Sequence, residues 1–581
     1  MVVSRLVVAS PTDEHGGRLS DEVELYQRTY NTLLRSSGET HLRVLEPAHR
    51  AMGSSLHPLA DSDEPDLGAF IYAIRRMPDS VADHAQLVIL GQEREVFERN
   101  GISIDGWQEV DAPARRRRWF DAGDGTHAVL ISSPSDVDDL IPTLVAFQIE
   151  WNKLRVRQRA AGWPPDHDPT NEECAEALGG TSDDWARLRE AWGERFMPRL
   201  QLISDQRMNM RLRMLGGTQV GFSRMTRHWW RPVHDSLAEQ QLVDRPLYFV
   251  SSNTHSLVNI ATGVARERES VLVEFVEQMP EDDILRTELD AFREGRTEGS
   301  WENFLYFVAR LYFDSHGEEG RQARRRSEAE CGVSHIRSTT ALRVPAQIIP
   351  LSRLKPERMD PRLGDMDAEA LAAAEGVVVN IDYPLGLAAY NILREVGVDI
   401  AMLRGVYVLG KAATLNADVG DVMLSTVVHD EHSGSTYWLD NAFSVDDIAP
   451  YLVFGSGLDN QRAVTVKSTF LQNREYLDFY YREAFTVVEM EAGPYCNAVY
   501  EIADVDRYPV GEAVNFSKLP IDFGIIHYAS DTPYTQARTL GARGLSYYGM
   551  DSTYASSLAI LRRILELEGL LTDDQPASPR P

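Results

Sequence analysis

The stretch VVEMEAG, Val487 to Gly493, closes an apolar run and is followed at once by Pro494. Thr486 to Met490 is β-branched and apolar enough for a buried strand. Pro494 falls where a first helical turn tolerates it, because the amide it lacks would have no intrahelical partner there. Tyr495, Ala498, Val499 and Ile502 then recur at helical spacing. The pattern is strand, turn, helix, which places Glu489 and Glu491 at the carboxyl edge of a sheet, where open α/β folds bind ligands. Two acids flanking a methionine suit a ribose. A carboxylate accepts hydrogen bonds from both hydroxyls, and a thioether lies against the apolar sugar face. The competing reading is a helix N-terminus decorated with acids, which the helix dipole favours by roughly 0.3–1 kcal/mol.

Working outward, Phe523 to Tyr528 (FGIIHY) reads as a second buried strand ending in Ala529-Ser530-Asp531-Thr532-Pro533. Asp531 is thereby expected at a carboxyl edge too. An acid there can protonate a purine ring nitrogen as a glycosidic bond lengthens, so that the base leaves neutral. The alternative is a helix cap or an Asx turn before Pro533. Gly376 to Ile381 (GVVVNI), Tyr407 to Leu415 (YVLGKAATL), Val419 to Leu424 (VGDVML) and Val464 to Phe470 (VTVKSTF) supply further strand-like segments.

In this order the segments resemble the nucleoside phosphorylase and nucleosidase superfamily, whose signatures are a V-E-M-E-A segment and a strand ending in Ser-Asp. The resemblance covers about residues 340 to 570. It implies that Glu491 holds the ribose hydroxyls, Met490 the sugar face, Asp531 the proton for the base and Phe470 a stacking ring. It also implies that Gly410, Lys411 and Ser530 line the substrate site, with Glu489 a neighbour of lesser role. Two departures matter. Hexameric phosphorylases carry an arginine two residues before a turn glycine to hold phosphate, and here that position is Val408. The serine usual after that glycine is Lys411, which offers a point charge for an anion. The missing arginine favours water over phosphate as nucleophile. Among nucleosidases the AMP-cleaving type is nearest, because it joins a separate N-terminal domain to this fold and has a Ser-Asp-x-Pro like Ser530 to Pro533. The chemistry is coherent: an oxocarbenium-like transition state needs acids near the sugar and a proton donor at the base. Glu357, Asp382 and His429 lie in the same stretch as candidates for activating water, or as turn, cap and surface residues.

At 581 residues the chain is several domains long. Its charge is 59 minus 88, or −29, which repels a polyanion and argues against nucleic acid as a partner. Cys174, Cys331 and Cys496 form no disulfide or metal spacing, and no apolar run approaches a membrane span. A cytoplasmic protein with no membrane partner, no metal and no cofactor is expected, with phosphate as a candidate co-substrate. Four regions are expected. Residues 1–160 form an α/β region, with strands at Leu87–Leu90 and Ala128–Ser132 and a helix from Asp136 to Arg155. Residues 161–335 form a helix-rich α/β region beginning with a linker at Ala161–Gly180, and include a strand at Pro246–Val250 leading into a Ser251–Ser256 loop. Residues 336–571 form the phosphorylase-like domain, and 572–581 a flexible tail. The Ser251–Ser256 hydroxyls suit either a phosphate cradle or a plain helix cap. Arg115–Arg118 and Arg324–Arg326 suit either nucleotide steering or pairing with the surplus acids. Asp136, Asp138 and Asp139 lack calcium-loop spacing and suit a helix N-terminus.

The fold class is therefore α/β: a C-terminal mixed sheet with helices on both faces, preceded by α/β and helix-rich regions. The β-α-β unit expected there runs from Gly376–Ile381 through a helix Leu385–Glu395, stopped by Gly397, to a strand Arg404–Leu409. The expected function is cleavage of the N-glycosidic bond of a purine nucleoside or nucleotide, and the resemblance implies a homo-oligomer. The alternative from another class is an inactive nucleotide-binding sensor or scaffold.

Overall fold

The structure, a computed structural model, describes residues 16–36, 38–163, 165, 167–280, 283–503, 509–533 and 548–572. The expected tail, beyond Thr572, lies outside the described residues. Of the described residues, unit 1 takes 16–222, 466–484 and 533, and unit 2 takes 223–465, 485–532 and 548–572.

Unit 1 contains β1 (Thr40–His41), β2 (Leu87–Gly91), β3 (Gln108–Ala112), β4 (Arg115–Asp121), β5 (Thr126–Leu130) and β6 (Arg211–Met214) in the sheet order β1-β6-β2-β5-β4-β3. β2 runs parallel to both β5 and β6, while β3, β4 and β5 form an antiparallel meander. The helix after β5, Pro134–Ala161, is buried along most of its length and ends at Gly162 in the left-handed region. Its acids are paired: Asp136 with Arg117, and Asp139 with both Arg115 and Arg117, while Arg118 holds Glu109. Among the two readings of this arginine run, pairing with acids is what the structure shows. The expected linker at 161–180 is no boundary. Its polar residues stop one helix and cap the next two, through capping boxes at Thr170 and Thr181. Those helices bury Cys174, Leu178, Trp185, Leu188 and Trp192 in the unit 1 core.

Unit 2 holds β7 (Leu247–Ser252), β8 (Ser334–Ile336), β9 (Ala346–Pro350), β10 (Val377–Asp382), β11 (Leu403–Thr414), β12 (Val422–Asp430), β13 (Ser435–Trp438), β14 (Gly457–Thr465), β15 (Val487–Glu489), β16 (Ala513–Asn515) and β17 (Asp522–Asp531). They form one mixed sheet, β16-β13-β12-β14-β15-β11-β7-β10-β9-β8, with β17 bonded to both β11 and β12. The path β12-β14-β15-β11-β17 thus closes on itself. The expected β-α-β unit exists, but β10 and β11 are not neighbours: each pairs in parallel with β7, which lies between them. A central strand of the C-terminal sheet therefore comes from the region expected to be separate, and the expected boundary at residue 335 does not hold.

Helices cover both faces. Leu558, Leu561 and Leu565 of the helix Asp551–Leu567 share a core with Tyr248, Val250, Tyr407, Leu409 and Ile526. Phe249, pointing the other way from β7, meets Tyr495 of the helix Ala492–Ala503. Gly397 does not stop its helix, which runs Ala388–Asp399. A Cβ there would lie 2.5 Å from Cδ1 of Ile502, so the two helices approach closely at this pair. Among the described residues no helix is long and apolar enough to cross a membrane.

Candidate functional site

The VVEMEAG stretch forms β15, a two-residue bend and the start of the helix Ala492–Ala503. Glu489 is buried, and its carboxylate is spent on this turn. Oε2 accepts the amides of Glu491 and Ala492 at 2.6 Å each, and Oε1 accepts the Thr465 hydroxyl. The same Thr465 oxygen accepts the Gly493 amide at 2.8 Å. Orphan amides at the helix N-terminus are thereby satisfied by one acid and one hydroxyl. The His527 imidazole of β17 lies 3.8 Å from Glu489, both side chains buried. Met490 and Glu491 follow half-buried. Glu491 Oε1 accepts the Gly386 amide at 3.1 Å, from the loop after β10.

Gly493 packs on the end of β12. A Cβ there would lie 2.5 Å from Cβ of Asp430. Asp430 accepts from His432 Nδ1 at 2.9 Å, Ser433 Oγ at 2.6 Å and Asn497 Nδ2 at 2.7 Å. Burial would raise its pKa, but these partners outweigh burial and hold it at about 2.

Asp531 is buried at the end of β17. β11 and β17 run in parallel register from Gly405↔Asp522 to Ala412↔Ala529; Ser530 is then bulged out and Ala413 pairs with Asp531. The bulge changes the alternation. Asp531 falls on the face of β11 that carries Lys411, together with Tyr528, rather than on the face of His527. Ser530 Oγ donates to the Ala412 carbonyl at 3.4 Å. Gly410 is not in a turn as expected: it pairs with His527 inside a continuous strand. Lys411 is exposed, and Val408, at the position of the phosphorylase arginine, is buried.

The Ser251–Ser256 loop follows β7. Asn253 Oδ1 accepts the amides of His255 and Ser256, so the loop caps its own helix. Beside it a cleft is lined by His255, Asn259, Tyr306, Arg310, Arg324 and Tyr554. Burial, then the charges of Arg324, Arg310 and Lys411, push the His255 imidazole down to about 3, so it is neutral. Of the candidates for activating water, Asp382 ends β10, His429 shares a 2.9 Å hydrogen bond with Thr436 across β12 and β13, and Glu357 is exposed.

Phe470 lies elsewhere. It belongs to unit 1, where its ring is buried against Tyr72 (5.2 Å between centroids), His49 and His57. The segment Val466–Ala484 leaves the unit of its neighbours in sequence. Nothing in its local pattern distinguishes a ring for a base from a ring for a core.

Among solved structures, the 5′-methylthioadenosine/S-adenosylhomocysteine nucleosidase of Neisseria meningitidis, in complex with methylthio-immucillin-A, is similar at 15% identity. The match covers 41% of this chain and 93% of that one, with a TM-score of 0.28. The corresponding nucleosidase of Colwellia psychrerythraea, in complex with adenine, is 14% identical over 40% and 86%, with a TM-score of 0.28. Uridine phosphorylase of Schistosoma mansoni, in complex with thymidine, is 9% identical over 57% and 89%, with a TM-score of 0.29. No curated protein sequence matches the chain. A family of unknown function, DUF6909, matches residues 42–566. That match spans nearly the whole chain, both units included, and the protein belongs to this family.

Proposed function

We propose that this protein cleaves the N-glycosidic bond of a purine nucleoside or nucleotide, with water favoured over phosphate as the nucleophile. One observation carries the reading. Ala413 of β11 pairs with Val488 on one side and with Asp531 on the other. The strand leading into Glu491 and the strand ending in Asp531 therefore finish on either side of one residue. Two strand spacings separate them by about 10 Å, a span that suits a purine riboside.

In this reading Glu491 accepts the ribose hydroxyls, Met490 lies against the sugar and Asp531 protonates the base, with Ser530 beside it. Glu489 is a positioning residue, since it binds the Glu491 amide. Buried Val408 supplies no charge for a phosphate nucleophile, which supports hydrolysis. Arg310 and Arg324 line the cleft beside His255, Arg324 also paired with Glu328, and these cations favour an anionic substrate such as a nucleoside monophosphate. The free, buried Cys174, Cys331 and Cys496 fit a reducing cytoplasm.

The test is release of free base from AMP, adenosine, inosine and guanosine by the full chain, followed chromatographically with and without phosphate. Release without phosphate supports hydrolysis, and phosphate-dependent release would change the nucleophile. Asp531→Asn is expected to slow release by about 10²–10⁴. Binding without any release would favour the second reading, a nucleotide sensor or scaffold. Phe470 supports that alternative, because the ring expected at the base is committed to the core of unit 1.

A further inference from the structure

We propose that unit 1 carries a divalent transition-metal site of the zinc class, formed by His84, Asp121 and His127. The antiparallel register of β4 and β5 sets Asp121 directly opposite His127. His84 ends the helix Asp79–His84. Gly125, at φ +88°, lets the β4–β5 turn come against that helix end: a Cβ there would stand 3.0 Å from the His84 carbonyl. A β-hairpin pair and a histidine from a preceding helix are so brought together, with one ligand atom from each lying within 4.8 Å of the others.

The separations are longer than direct hydrogen bonds. His84 Nε2 lies 3.6 Å from Asp121 Oδ2, and His127 Nε2 lies 3.5 Å from Asp121 Oδ1. Either imidazole, if bonded to the carboxylate, would stand closer, at 2.7–3.2 Å. Ligand atoms bound at 2.0–2.2 Å around a tetrahedral ion are about 3.3–3.6 Å apart, and the two contacts here fall on different oxygens of the carboxylate, so the side chains would close in slightly around an ion.

Each ligand is also prepared. His127 is wholly buried, so its imidazole is held in one place by the packing around it. Its Nε2 shares a 3.1 Å hydrogen bond with Ser80 Oγ, a contact that metal binding would exchange for the ion. Asp121 Oδ1 accepts the Gly123 amide at 2.7 Å, fixing the carboxylate from behind. The His84 side chain is 44% exposed, leaving a solvent route and room for a water ligand. Two nitrogens and one oxygen, with no thiolate, select zinc, cobalt or nickel over copper(I) or calcium.

The full chain, stripped of metal with chelator and dialysed, is titrated with Zn²⁺ by calorimetry and with Co²⁺ by visible absorption. One saturating equivalent is expected, with a low-symmetry Co²⁺ spectrum and an unfolding midpoint that climbs with the logarithm of zinc concentration. His84→Ala alters an exposed side chain, so its metal-free midpoint should match the wild type while affinity falls roughly a hundredfold. Asp121→Asn should lose the equivalent as well. No saturable binding by the wild type, or binding undiminished in both variants, overturns the site.

Discussion

Gly493 and Asp430 show how tightly the turn of VVEMEAG is built, since no side chain fits between them. Gly493→Ala is expected to cost about 1–3 kcal/mol of stability, read from the urea midpoint. Asp430 adds a pH signature. Its folded pKa of about 2 is below the unfolded value of ~3.9. The stabilisation is full above about pH 4 and is lost as pH falls towards 2. Asp430→Asn should flatten that part of the acid limb, and an unchanged limb would show that other carboxylates govern it. The two glutamates divide in the same manner. Glu489→Ala leaves three donors without an acceptor and should destabilise by roughly 1–3 kcal/mol. Glu491→Gln should shift stability by no more than about 0.5 kcal/mol while greatly reducing base release. Equal destabilisation by both would make Glu491 a second structural acid. The reading of a helix start decorated with acids describes Glu489, while Glu491 stays half-buried and accepts the Gly386 amide. The strand ends were legible from apolar runs. The bulge that re-aims Asp531 was not, because alternation alone cannot register one extra residue.

At the scale of elements, the strands and helices nearest the site follow their sequence patterns, with boundaries shifted by a few residues. What the pattern lacked was adjacency. The β10–helix–β11 segment reads as a simple crossover, yet β7 from more than a hundred residues upstream occupies the place between. Strand pairing at that separation is chosen by the whole sheet, not by a local signal. Gly397 makes the same point in a helix. Glycine near the end of a helical pattern reads as a stop, but here the constraint is Ile502 of a helix far along the chain. This bears on a substitution. On an exposed helix Gly→Ala gains about 1 kcal/mol; Gly397→Ala should instead cost about 1–3 kcal/mol through overpacking. Ile502→Val or Ile502→Ala should recover part of the loss in a double-mutant cycle. Additive effects in that cycle would mean the two helices do not meet at this pair.

For the whole molecule, the consequence concerns where the chain can be cut. A sequence reading by region places Phe470 with the strands around it, because composition and periodicity do not change between Val464 and Phe485. In the structure Val466–Ala484 is part of unit 1. Phe470 and Leu471 belong to its core, Ser54 bridges Asn473, and the Ser55 amide donates to the Gln472 carbonyl at 2.8 Å. Unit 1 is thus discontinuous, and residues 1–222 alone lack part of their own interior. That fragment should show exposed apolar surface by dye binding and a broadened urea transition. In the full chain, Phe470→Ala should destabilise unit 1 by about 3–5 kcal/mol, as expected for a fully buried ring. Tryptophan fluorescence can follow this, because Trp119, Trp151 and Trp185 are all buried in that unit. A fragment 1–222 that unfolds as sharply as unit 1 does in the full chain would show that Val466–Ala484 is dispensable, and would return Phe470 to the list of residues free to meet a base.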